Sequence, residues 1–148
     1  MRHVAILAAA LALFSVAALA SDAAQPTTLM RPKAPHGAKV FIVSPKNGAT
    51  VGQDVHVVFG VRGIKVAPAR DTAPNTGHHH LLIDVKELPA LDAPIPADAN
   101  HKHYGKGQTE DSIHLTPGNH TLQLDFADYA HMQFDPPLVS RKITIHVK

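Results

Sequence analysis

At 148 residues the chain is long enough for one domain and short for two. Apolar residues make up 45% and charged residues 18%, which excludes a disordered chain held open by its own charge. Lys and Arg number 14 against 12 Asp and Glu, a net charge of +2. Such a surface attracts a polyanion weakly, so nucleic acid is not an expected partner.

Cysteine is absent, which removes disulfides, thiolate metal ligands and thiol nucleophiles together. His and Pro each occur 12 times; that much Pro speaks against a helical fold.

Arg2 gives a short positive start, and Val4 to Ala20 is apolar except at Ser15. Ala18-Leu19-Ala20 then supplies the small-x-small site of a secretory signal peptide. Residues 1–20 are therefore expected to be removed before Ser21, leaving an exported protein with no membrane span. A bacterial periplasm is the expected compartment. Residues 21–37, with Pro26, Pro32 and Pro35 and little apolar periodicity, read as a flexible leader. The domain is expected over residues 38–148.

Lys39 to Val43 is a β-prone run closed by Ser44-Pro45-Lys46-Asn47-Gly48, a turn signature. Val55, Val57, Phe59 and Val61 alternate with polar or smaller residues along one strand. His79, Leu81, Ile83 and Val85 form the inward face of the next, with His78, His80, Leu82 and Asp84 opposite. A short strand at Ser112 to Leu115 precedes the turn at Thr116-Pro117-Gly118-Asn119. Leu122, Leu124 and Phe126 then point inward, with Thr121, Gln123 and Asp125 outward. A last strand covers Val139 to Val147, off phase at Arg141. About six or seven short strands, punctuated by Pro and Gly and without a long amphipathic window, predict an all-β fold. The expected architecture is a single immunoglobulin-like antiparallel β-sandwich. Glu87 to Asp111 stands apart: a connection this long within a compact domain is usually functional or disordered.

Two His groups carry the functional signal, Gly77-His78-His79-His80 and His101-Lys102-His103. On a strand, residues i and i+2 share a face, so His78 with His80, and His101 with His103, can each chelate one ion. Together they would make a four-imidazole shell suited to copper or zinc, without thiolate. His79 shares its face with apolar residues and reads as a core histidine. Asp84, Gln108, Thr109 and Glu110 are candidates for hydrogen bonds that orient the ligand rings. The chain lacks His-Glu-x-x-His, Gly-x-Ser-x-Gly and Walker-type sequences, so nothing assigns a catalytic residue.

The segments Asn75-Thr76-Gly77-His78-His79-His80-Leu81-Leu82-Ile83-Asp84 and His103-Tyr104-Gly105-Lys106-Gly107-Gln108-Thr109-Glu110 resemble a bacterial exported family, the domain of unknown function 4399. Pro117-Gly118-Asn119-His120-Thr121-Leu122-Gln123-Leu124 and Asp135-Pro136-Pro137 extend the resemblance, which covers nearly everything after Val40. It implies a secreted domain built around His motifs, in a family with no established activity. Two readings stay open: a domain binding copper or zinc through its paired His, and a non-catalytic envelope module for a protein or glycan in which the His are structural.

Overall fold

The structure is a computed structural model that describes residues 30–148. The segment read as a signal peptide, and the leader up to residue 29, lie outside the described residues.

Ten strands and no helix make up the described chain. In order they are β1 (Lys39–Ser44), β2 (Thr50–Val51), β3 (Asp54–Arg62), β4 (Lys65–Val66) and β5 (Thr76–Ile83). They continue as β6 (His101–His103), β7 (Glu110–His114), β8 (Gly118–Ala127), β9 (Gln133–Val139) and β10 (Ile143–Val147). One sheet has the order β1-β3-β7 and is antiparallel throughout. In the other, β5 and β8 pair antiparallel at the centre. Both β9 and β10 lie along the far side of β8, and β4 and β6 along the far side of β5. Only the short pairs β2–β10 and β4–β5 are parallel. The chain is an all-β sandwich.

Period-two alternation builds the core. Val55, Val57 and Phe59 of β3 face Leu81 and Ile83 of β5 and Leu122, Leu124 and Phe126 of β8, all buried in one cluster with Ile145. Val85, expected among them, is only half-buried. The strand stops at Ile83, and Asp84 takes a left-handed conformation (φ 58°) that turns the chain out of the pleat.

The polar outer face expected of the central strands is not open to water. His78, His79, His80, Leu81 and Leu82 of β5 are all buried, as is Asp125 of β8. The long segment after Asp84 folds back against this face. Asn100 donates its side-chain amide to the Ile83 carbonyl, and Gln133 donates to the Pro89 carbonyl. The Ile95 amide bonds the His131 carbonyl, which sets buried Ile95 beside buried Met132. β5 is thus a strand buried on both faces, and its near-continuous apolar and imidazole run fits that environment.

Two further segments differ from the sequence reading. The last strand is two strands, separated at Ser140–Lys142, so the off-phase Arg141 lies between β9 and β10. The stretch read as leader is laid against the domain from Arg31 onward. Arg31 donates to the Gln133 and Phe134 carbonyls, Lys33 pairs with Asp135, and the Ala34 amide bonds the Asp135 carbonyl.

Candidate metal centre

The site is assembled where β5, β6 and the β8–β9 turn meet on the outer face of the larger sheet. Gly77 opens it. A Cβ there would lie 2.4 Å from the Ala127 carbonyl oxygen, so only glycine lets β5 approach β8 this closely. His78 and His80 then share the outer face by strand alternation. His79 points inward, its ring between Phe59 (centroids 5.2 Å apart) and Phe126 (5.0 Å). It is a core residue.

His103 reaches the site because β6 pairs with β5 in a register that sets His103 opposite His80. Its ring lies over Gly105, where a Cβ would come within 2.3 Å of the His103 Cε1. Glycine at that position is a requirement of the ring's placement.

His131 arrives from the β8–β9 turn. One Asp128 carboxylate oxygen accepts the Ala130 and Met132 amides, and the Asp128 carbonyl accepts the His131 amide. This Asx-type turn holds His131 in the left-handed region (φ 63°), an unusual conformation for a side-chain-bearing residue.

The Nε2 atoms of His78 and His80 are 3.2 Å apart, and those of His103 and His131 are also 3.2 Å apart. The His103 ring centroid lies 5.0 Å from that of His78 and 5.0 Å from that of His80. The His131 centroid lies 5.0 Å from His78 and 5.8 Å from His80. One ring nitrogen from each of His78, His80 and His103 falls within a 4.8 Å span. Zinc–nitrogen bonds of about 2.0–2.1 Å in a tetrahedral site put neighbouring nitrogens about 3.3 Å apart. The two close pairs therefore have the length of an edge of such a shell; the compact group is His78, His80 and His103, and His131 adjoins it through its 3.2 Å contact with His103.

Electrostatics keep the rings in the ligand state. Burial, then the neighbouring His131, His103 and His79, push the His78 imidazolium down to about 3. Burial and the neighbours His78, His103, His131 and His101 push His80 down to about 2. Burial, with His131 beside it, also lowers His103. These imidazoles are neutral at pH 7, with a lone pair on each ring.

Several buried polar atoms beside them have no partner: Nδ1 of His78 and of His80, both carboxylate oxygens of Asp125, and Oε1 of Gln133. Asp125 stands directly opposite His80 in the β5–β8 register, on the same face. Burial pushes its carboxyl group up to about 7. Buried unpaired polar groups are costly unless they gain a partner.

The other residues singled out from sequence have different partners. His101 shares a face with His103, but its Nδ1 lies 2.9 Å from an Asp98 carboxylate oxygen, and it is not in the compact group. Asp84 holds His120 Nδ1 at 2.7 Å and accepts the Thr121 amide. The Gln108 side chain accepts the Lys106 amide, the Thr109 carbonyl accepts the Phe59 amide, and Glu110 lies 3.6 Å from His56 Nε2. Among the described residues, none of these four makes a hydrogen bond to the rings of His78, His80 or His103. His131 is the residue that sequence spacing misses. It is a single His after a turn, far in sequence from either pair, and only the hairpin brings it in.

No curated protein and no solved structure matches this chain. A family model, Domain of unknown function (DUF4399), matches residues 57–148, which include every residue of the histidine cluster. The chain belongs to the DUF4399 family.

Proposed function

We propose that the domain binds one copper or zinc ion through Nε2 of His78, His80, His103 and His131. The observation that carries this reading is the meeting of two Nε2 pairs, each 3.2 Å across, on a sheet face where burial keeps the His78 and His80 imidazoles neutral. An all-imidazole set without thiolate suits zinc in a tetrahedral shell and copper(II) in a tetragonal one.

Ligation at Nε2 puts the ring proton on Nδ1, and a ligating imidazole normally donates that N–H to a carboxylate or carbonyl. For His80 the nearest candidate acceptor is Asp125, its cross-strand neighbour; His80 Nδ1 and both Asp125 oxygens have no partner in the structure, and metal binding would bring them together. An Nδ1–H donor and the charge of the ion both favour the carboxylate form of Asp125. Ion, ligand and carboxylate thus complete one another.

The proposal includes export before binding, resting on the apolar run to Ala20 and the Ala18-Leu19-Ala20 site. The role is then metal handling outside the cytoplasm. Elemental analysis of the protein, recovered from its exported fraction without a His tag, tests this. About one copper or zinc per chain is expected. A metal-free product that also refuses added metal would leave the histidines with a structural role.

A further inference from the structure

Two hollows meet at His103, the exposed member of the cluster; His78 and His80 are wholly buried. An ion held by the cluster therefore faces solvent on the His103 side. The two hollows differ in charge. One is lined by Asp98, Glu110 and Asp111 among others, three carboxylates that repel an anion. The other, about 770 Å³, has both His103 and His131 in its wall, and the charged side chains lining it are Arg70 and Lys106. Pro68, Ala69 and the exposed ring of Tyr129 line the rest of it, with Gln108. Its size is that of a small-molecule site.

We propose that this second groove binds a small organic carboxylate, one oxygen of which becomes a fifth ligand when the four histidines hold copper(II). Metal charge, Arg70 and Lys106 all favour an anion, and guanidinium is suited to a carboxylate. The apolar and aromatic wall favours an organic body over a bare inorganic ion. The ligand bridges the ion and the cationic wall without displacing a histidine. This inference rests on the metal reading above, and the experiment separates the two.

The untagged chain is loaded with copper(II), and binding of benzoate is followed by the copper absorption band and by calorimetry, with neutral benzamide as the shape control. Benzoate is expected to shift the band and to bind about tenfold or more tighter than benzamide. The double variant R70A/K106A, altered only at exposed positions, is expected to keep copper affinity and lose about tenfold in benzoate affinity, the size of two partly exposed charge contacts. Copper binding without any effect of benzoate would overturn the groove proposal and leave the metal site standing. Equal benzoate affinity in the metal-free protein, or in the double variant, would also overturn it. Failure to bind copper at all removes both.

Discussion

Acid should destabilise the metal-free protein in a way set by its buried histidines. His78, His79 and His80 titrate at about 3, 4 and 2 in the fold, against 6.5 for the ordinary side chain, chiefly because burial penalises the imidazolium. Below pH 6.5 the unfolded chain takes up protons that the folded chain refuses, so stability falls as pH falls. Each His costs about 1.4 kcal/mol per pH unit, so moving from pH 6.5 to 5 costs about 2 kcal/mol apiece and about 6 for the three.

Asp125 has the opposite sign. Its carboxyl is pushed up to about 7, so between its ordinary value of 3.8 and pH 7 the folded chain holds the extra proton. Going from pH 7 to 5 returns about 2–3 kcal/mol through this group. Across these four groups the loss is about 3 kcal/mol, a large part of the 5–15 kcal/mol stability of a typical domain; His103, lowered, adds to it and His120, raised by Asp84, offsets it. With a urea slope of about 1–3 kcal/mol/M, the unfolding midpoint should drop by about 1–3 M between pH 7 and pH 5. A saturating metal should add stability at pH 7 by mass action, and that increment should shrink toward pH 5 as Asp125, whose carboxyl is pushed up to about 7, takes up the proton that metal binding must displace. A midpoint that stays level or rises between pH 7 and pH 5 would mean that the rings are solvated and the cluster is not as described.

Replacing Leu124 by Ala should cost about 2–5 kcal/mol in denaturant unfolding, whereas Thr121→Ala should cost about 0.5 kcal/mol or less; equal effects would place the core on the wrong face of β8. Asp125→Asn should weaken metal binding by about 10–100-fold in competition titrations, the usual size for a lost carboxylate partner of a ligand. The same variant should leave metal-free stability at pH 8 equal or higher, since it removes an unpaired buried charge. His131→Ala should reduce metal affinity by at least about tenfold, while His101→Ala should change it less than about twofold, because the His101 ring already bonds Asp98.

Strand alternation made the core legible: Val55, Val57, Phe59, Leu122, Leu124 and Phe126 have the period of half-buried strands, and they are buried. The same alternation put Asp125, His78 and His80 on the face away from the core, where they lie, but gave no sign that this face is buried, because its cover comes from a distant loop. β9 was hidden by Pro136 and Pro137, residues that a strand tolerates at an edge or an irregularity. There β9 pairs with β8 through a register shift. The His-x-His spacing located the site on β5, since i and i+2 geometry is local. It named His101 and gave no signal for His131, although the fold sets His131, not His101, beside His103. That choice depends on the turn at Asp98, which takes up the His101 ring, and on the Asp128 turn, which delivers His131; both are tertiary facts.

The most direct test of the metal site is calorimetric titration of zinc and of copper(II) into the untagged protein and into a His78→Ala/His103→Ala double variant. The two replaced residues come from β5 and β6, so the variant takes one ring from each strand. The wild-type protein should bind about one ion with micromolar affinity or better, more weakly as pH drops below about 7 and Asp125 is protonated, and the double variant should show no binding below millimolar metal. Equal affinity in the two proteins, or no binding by either below millimolar metal, would contradict the account.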